Sequence, residues 1–362
     1  MIERLPDEPR KGRGAVSNPT GRFEPETRLR THDGWDSHDE DEPILRTTIM
    51  DEVPRKIISR NSSPDIPFGQ SINPYRGCEH GCVYCFARPT HAYMGLSPGL
   101  DFETRIFAKP NAAELLAREL RKPGYEPSTI MLGANTDPYQ PAERERRITR
   151  EILTVLSAFN HPVGIVTKSA LILRDLDIIA PMAARGILSV GISITTLDNR
   201  IAAKMEPRAA APHRRLEAVA GLSGAGVPVT ILVAPVVPFL TDSDTESILE
   251  AAAKAGAKSA GYILLRLPLE LKDLFAEWLW AHFPAAADHV LNRMRANRDG
   301  SLYVSEFGTR MRGSGRYADL LEQRFQLACR KFGLENRAEG EIGLDNSLCT
   351  VPSVLGDQLS LL

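Results

Sequence analysis

Three of the five cysteines in this 362-residue chain fall within residues 78–85, in the order Cys78-Glu79-His80-Gly81-Cys82-Val83-Tyr84-Cys85. Three thiols on one short loop cannot pair off as disulfides, because one is always left over. Thiolates are soft ligands, so such a loop reads as a metal site for zinc or an iron–sulfur centre. A cubane iron–sulfur cluster normally takes four cysteines. Three would leave one iron without a protein ligand, open to a substrate or cofactor. The competing reading is a structural zinc completed by His80 or His91. Zinc sites more often use paired C-x2-C knuckles, and no second knuckle follows here. Cys329 reads as a packing residue and Cys349 as a surface thiol.

The chain around this loop alternates apolar runs with helix-period segments. Residues 70–73 form a short first strand, ending just before the cysteines. Asn111 reads as the cap of a helix over 112–120. A strand follows at 129–132, and Ile148, Ile152, Leu156 and Phe159 lie at helical spacing. Further strands are expected at 163–167, 188–194, 229–236 and 260–265, and helices at 171–184, 212–225 and 270–282. Thr241 and Asp244 resemble a capping box ahead of Ile248 and Leu249. Six βα units with apolar strands predict an α/β fold with a parallel sheet covered by helices. Six are too few to close an eight-stranded barrel, so the expected fold is a partial, TIM-like (β/α)6 barrel. By analogy with full barrels, its active site belongs at the carboxyl ends of the strands.

Three regions are expected. Residues 1–45 form a polar arm, partly disordered because it is poor in aliphatics. Gly12-Arg13-Gly14 and the Trp in Asp33-Gly34-Trp35-Asp36 argue that parts of it lie along the domain surface. Residues 46–284 form the core domain. Residues 285–362 form an Arg-rich, mainly helical extension that includes an amphipathic helix over 318–332 ending at Gly333. Between Arg293 and Arg337 there are nine Arg and one Lys against five acidic residues. That excess, densest between Arg293 and Arg316, suits phosphate contacts. The net charge of −2 does not by itself point to nucleic acid. No run of about 18 apolar residues predicts a membrane span. The N-terminus lacks the apolar core of a signal peptide, and the cysteine usage fits a reducing cytoplasm.

The octet, with Tyr84 just before its last cysteine, resembles the signature of the radical S-adenosylmethionine (radical SAM) superfamily. Further stretches look like a bacterial family grouped with spore photoproduct lyase, whose members are often labelled DNA repair photolyases. These stretches are Gly12-Arg13-Gly14, Asn73-Pro74-Tyr75-Arg76-Gly77-Cys78, Thr136-Asp137-Pro138-Tyr139, Met205-Glu206-Pro207-Arg208 and Arg310-Met311-Arg312-Gly313. The resemblance spans nearly the whole chain. It implies a radical SAM enzyme of lyase or transferase type. Its [4Fe–4S] cluster would be held by Cys78, Cys82 and Cys85, and S-adenosylmethionine would be cleaved reductively to a 5′-deoxyadenosyl radical. A reductant such as flavodoxin or ferredoxin is implied, and nucleic acid is the substrate class. A small-molecule or protein substrate, and a non-catalytic iron–sulfur or zinc protein that binds a partner, are the competing readings.

The same resemblance suggests cofactor contacts. Tyr84 belongs to the loop signature. Gly133 permits close approach and Asp137 accepts from an ammonium, although Asp137-Pro138 is also an ordinary turn dipeptide. The Gly-Gly-Glu-like turn usual in the superfamily is replaced here by this Thr-Asp-Pro-Tyr version. Lys168 could face the cofactor carboxylate. Ser193 and Thr195 could bond the ribose or that carboxylate, and Glu206 and Arg208 lie just beyond them. Residues 234–236 would form an apolar floor under adenine. Spore photoproduct lyase uses a further cysteine as hydrogen-atom donor. Here no cysteine lies between Cys85 and Cys329, so Tyr75, Tyr93 and Tyr139 are the candidates for that role.

Overall fold

A computed structural model describes residues 7–27, 45–337 and 343–353. Asp33-Gly34-Trp35-Asp36 lies outside the described residues. The strands are β1 (Thr48–Asp51), β2 (Ser59–Arg60), β3 (Gln70–Ile72), β4 (Tyr75–Arg76), β5 (Arg105–Ala108), β6 (Ile130–Leu132), β7 (Val163–Thr167), β8 (Leu188–Ser193), β9 (Val229–Val236), β10 (Ser259–Leu264) and β11 (Glu335–Asn336). The helices are α1 (Asp101–Thr104), α2 (Ala112–Leu120), α3 (Glu143–Arg146), α4 (Ile148–Ala158), α5 (Leu176–Ala184), α6 (Asn199–Met205), α7 (Pro212–Gly224), α8 (Thr245–Lys254), α9 (Leu271–His282), α10 (Pro284–Ala296) and α11 (Arg316–Phe332).

The main sheet has eight strands in the order β11-β10-β9-β8-β7-β6-β3-β2. From β3 through β6 to β10 the strands are parallel and neighbour one another in chain order. This is the open, six-unit partial barrel expected from the sequence. β2 closes one edge antiparallel to β3, and β11 adds to β10 at the other. Every residue of β8 is buried, and β7 and β10 are buried but for one residue each. Strands covered on both faces are mainly apolar, which is why they read as near-continuous hydrophobic runs, with Ser189 and Ser193 the polar exceptions in β8. Ile165, Val190, Ile192 and Ile231 meet Ile152, Leu156, Ile179, Val219 and Ile248 of the covering helices in one core.

A second core lies near the cysteine loop. Trp278, Phe275 and Leu279 of α9 and Val290 and Met294 of α10 pack with Val83 and Tyr84 of the loop. Val16 of the N-terminal arm joins them. Residues 13–17 of the arm are buried, so this part of it runs under the loop.

Three local readings need correction. Asn111 makes no capping hydrogen bond to α2, and its Oδ1 is buried without a partner. Thr241 and Asp244 do not form a capping box. Thr241 Oγ1 accepts from Val237 N at 2.9 Å, while the Asp244 carboxylate accepts from Thr196 Oγ1 and Leu197 N. Thr241 is engaged by the Val237 amide four residues before it and Asp244 by the distant Thr196 and Leu197, rather than by the adjacent helix. The expected helix over 171–184 divides into a 3-10 segment (Ala170–Asp175) and α5.

Candidate metal centre

The cysteine loop leaves β4 at Gly77, whose φ of +74° an L side chain rarely adopts. A Cβ there would lie 2.9 Å from Phe102 O. The loop's backbone is then tied at several points. Cys78 N donates to Phe102 O at 2.9 Å, and Val83 N donates to Met205 O at 3.0 Å. Gln140 holds both sides of the turn: its Oε1 accepts from Glu79 N at 2.9 Å and its Nε2 donates to Gly77 O at 3.2 Å.

Beneath the loop, Arg88 spends its five donors on five acceptors. Nε donates to Cys82 O at 2.8 Å and Nη2 to Gly81 O at 2.9 Å. Nη1 donates to Pro98 O and Gly99 O. Nη2 also meets Glu103 Oε1 at 2.6 Å, and both side chains are fully buried. Glu103 in turn accepts from Gly14 N at 3.0 Å and Ala15 N at 2.7 Å. A Cβ on Gly14 would sit 1.8 Å from Gly81 O, so the arm and the loop touch backbone to backbone.

Cys78 and Cys82 are each 6% exposed and Cys85 is half-buried, and all three are free thiols. Burial, then the charges of Asp137, Cys82 and Cys85, hold the Cys78 thiol far above its usual range. Burial pushes Cys82 up to about 12, against the pull of Lys168. Three thiols crowded on one loop, two of them dry, are a poor arrangement unless a metal takes the place of the protons. Among the described residues, no three His, Cys, Asp or Glu side chains converge on a point suited to one metal ion. Three thiols on one loop, with no second C-x2-C knuckle, suit an iron–sulfur cluster better than a tetrahedral zinc. Cys329 lies in the main core on α11. Cys349 sits near Tyr125, which bonds Gln70 at the start of β3, at the far end of the sheet. Neither is placed to supply a fourth ligand.

The residues singled out from the sequence fall into distinct settings. Asp137 braces the strand ends. Its Oδ1 accepts from Thr167 Oγ1 (2.7 Å) and Tyr139 N (2.9 Å), and its Oδ2 accepts from Lys168 N (2.8 Å). His80 Nδ1 lies 3.3 Å from Oδ2, an ion-pair distance. Burial opposes its charge, yet these partners bring the carboxyl down to about 2. Glu206 is as fully engaged. Tyr84 OH and Thr195 Oγ1 donate to Oε1, and Arg215 Nη2 donates to Oε2. Burial opposes this charge too, but Arg215 and Lys168 bring the carboxyl down to about 2. Lys168 Nζ lies 5.7 Å from the Tyr84 ring centroid. Burial works against its ammonium, and Cys82 and Glu206 outweigh that. Ser193 Oγ donates to Ala234 O at 3.0 Å, and Arg208 pairs with Glu79 at 2.9 Å.

Gly133 has φ +86°, and a Cβ would stand 2.2 Å from Val166 O, so this turn is packed against β7. The tyrosines separate. Tyr75 OH donates to Glu143 Oε2 inside the core. Tyr139 is buried, with Asp175, Glu143 and Arg174 acting on its phenol. Tyr93 is 71% exposed and rests on Phe23 of the arm. Beside the loop, a cavity of about 450 Å³ is lined by His80, Tyr139, Ser169 and Arg208 among others. Sequence reasoning missed Arg88, Glu103 and Arg215. Arg88 holds the Gly81 and Cys82 carbonyls, Arg215 pairs with Glu206, and Glu103 reaches the distant arm, and none of these links has a spacing that marks a local motif. Gln140 directly follows the Thr136-Asp137-Pro138-Tyr139 stretch, which is the one local signal for it.

A parallel six-stranded open barrel with a three-thiol loop at the carboxyl ends of its strands defines a class. The family model described as the radical SAM superfamily matches residues 72–252, half of the chain, and the chain belongs to that superfamily. Its cofactors are accordingly a [4Fe–4S] cluster and S-adenosylmethionine. An uncharacterized protein of Mycobacterium tuberculosis is 39% identical over 238 residues, which are 65% of this chain and 68% of its own. One of Methanocaldococcus jannaschii is 26% identical over 235 residues, 65% of this chain and 83% of its own. Among solved structures, a spore photoproduct lyase with bound AdoMet and dinucleoside spore photoproduct has the same fold, with a TM-score of 0.57. It is 16% identical, covering 80% of this chain and 81% of that one. No helix among the described residues is long and apolar enough to cross a membrane.

Proposed function

We propose that the protein is a radical SAM enzyme in which Cys78, Cys82 and Cys85 hold three irons and leave the fourth for S-adenosylmethionine. When bound and reduced by a flavodoxin- or ferredoxin-type donor, the cofactors together supply methionine and a 5′-deoxyadenosyl radical, which takes a hydrogen atom from substrate. The observation that carries this reading is the three-thiol loop, with Cys329 and Cys349 both placed away from it. The protein's part is binding, orientation and exclusion of water.

Lys168 is the residue we assign to the cofactor's carboxylate. Its half-buried ammonium is kept charged by Cys82 and Glu206, yet no hydrogen bond among the described residues occupies its Nζ. Backbone groups at 133–135, half-buried to exposed beyond β6, are assigned to the ammonium. Asp137 and Glu206 hold these elements in place rather than spending an oxygen on the cofactor. Residues 234–236, at the carboxyl end of β9, are assigned to the floor under adenine.

For substrate we favour nucleic acid, supported by the shared fold with a protein solved on a dinucleoside photoproduct. A small-molecule substrate is the second reading. It is favoured by the Arg-rich segment, where Arg310 is paired with Asp65 and Arg324 with Glu246. The test is anaerobic reconstitution with iron and sulfide, reduction, and chromatography for 5′-deoxyadenosine. Formation that disappears in Cys82→Ala supports the proposal. A fully loaded, reduced protein that leaves S-adenosylmethionine intact overturns it.

A further inference from the structure

Beyond β10 the chain carries a positive cluster that the cofactor assignment does not use. Leu265 N donates to Val236 O at 2.9 Å, so residues 265 and 266 lie past the carboxyl end of the sheet. The guanidinium of Arg266 stands 4.4 Å from the centroid of the Phe86 ring, and Phe86 directly follows Cys85. Arg266 is half-buried and feels the charges of Arg310, Tyr303, Asp65 and Cys85. No carboxylate pairs with it among the described residues. Arg310 already grips Asp65 with two donors, Nε at 2.6 Å and Nη2 at 2.5 Å.

Arg298 follows α10 and is 1% exposed. Its Nη2 donates to Leu265 O, the carbonyl just before Arg266. Its Nε and Nη1 are buried with no acceptor among the described residues. The Nδ2 of Asn297, 2% exposed, is likewise unpartnered. The hydrogen bond to Leu265 O sets the Arg298 side chain against the backbone that leads into Arg266. Burial lowers the Arg298 guanidinium to about 10, so it remains a cation at neutral pH. A buried cation with idle donors is costly unless a ligand pairs with it. Every idle group here is a donor, so the missing partner is an acceptor, and a charged one.

We propose that Arg266 and Arg298 form the binding site for a phosphoryl group of the substrate, next to Cys85. Two guanidinia match a phosphoryl oxyanion in charge and in donor geometry. Its position relative to the cofactor rests on the radical SAM reading. The binding itself does not.

Calorimetry on the anaerobically reconstituted full chain tests this with three probes: inorganic phosphate, the dinucleotide thymidylyl-thymidine, and acetate. Phosphate or the dinucleotide should bind, with affinity falling about tenfold or more in both Arg298→Met and Arg266→Gln. A dinucleotide preference assigns the phosphate to a nucleic-acid backbone, and a preference for inorganic phosphate to a small phosphorylated substrate. Without ligand, Arg298→Met should melt no lower than the parent, since it removes an uncompensated buried charge. A purely structural Arg298 would instead lower that melting point. The proposal is overturned if neither phosphate probe binds, if acetate binds as well as they do, or if both variants bind like the parent. Uncoupled 5′-deoxyadenosine formation on the same preparations separates the two claims. Cleavage without anion binding removes only this site, and anion binding without cleavage removes only the radical reading.

Discussion

Arg88 and Glu103 form a fully buried ion pair, Nη2 to Oε1 at 2.6 Å, that joins the cysteine loop to the N-terminal arm. Arg88 holds the carbonyls of Gly81 and Cys82, and Glu103 holds the amides of Gly14 and Ala15. The pair has no remaining exposure, so each partner depends on the other for compensation. Arg88→Met would leave Glu103 charged and unpaired in the interior. A cost of about 3–5 kcal/mol is expected from such a break. Urea unfolding measures the stability, and bound iron after anaerobic reconstitution should fall with it. Iron retention equal to the parent would contradict the bracing role of Arg88.

The arm makes a second, steric prediction. Gly14→Ala places a methyl 1.8 Å from Gly81 O, a backbone atom that cannot rotate away. Overpacking of this kind costs about 1–3 kcal/mol, and here it falls on the cluster loop itself. Gly224→Ala is the control. Gly224 ends α7 with nothing within 4 Å of an added Cβ. The first substitution should lower both the thermal midpoint and the iron content, and the second should change neither downward. Equal behaviour of the two would show that the arm does not bear on the loop.

Acid should unfold the protein in two stages. Burial lowers His91 and His161 to about 4, and hydrogen bonds to backbone carbonyls only partly oppose this. Their unfolded value is near 6.5, so below that pH the unfolded chain takes up protons that the native rings refuse. Stability is therefore full above about pH 6.5 and is lost as pH falls toward 4, by on the order of 3 kcal/mol for each ring. Asp137 and Glu206, both held at about 2, extend the loss from the ordinary carboxylate range downward. Urea midpoints across this pH range check the sign and the window. His161→Gln should flatten the upper stage, and an unchanged slope would contradict the assignment.

Legibility from the sequence followed the range of the interactions. β7, β8 and β10 are readable because strands buried on both faces are mainly apolar. The cysteine loop was readable because its ligands share eight residues. Asn111, Thr241 and Asp244 have side chains that suit helix caps, but the Val237 amide in the preceding loop claims Thr241 and the distant Thr196 claims Asp244. α10 falls in the stretch expected only as a mainly helical extension, and Pro284 at its first turn is the helix-start signal that gives its bound. The braces were the least legible part. Glu103 bonds residues 88 and 89 positions away in sequence, and Arg215 serves Glu206 from a helix whose pattern gives no hint of it.

The central claim is that three cysteines hold a cluster with one iron left for the cofactor. Electron paramagnetic resonance of the reduced, reconstituted protein tests it most directly, with and without S-adenosylmethionine. The account predicts a [4Fe–4S] signal that changes on adding S-adenosylmethionine and is absent in the Cys78, Cys82 and Cys85 alanine variants. A signal indifferent to S-adenosylmethionine, or a chain that takes up zinc and no iron–sulfur cluster, would contradict it.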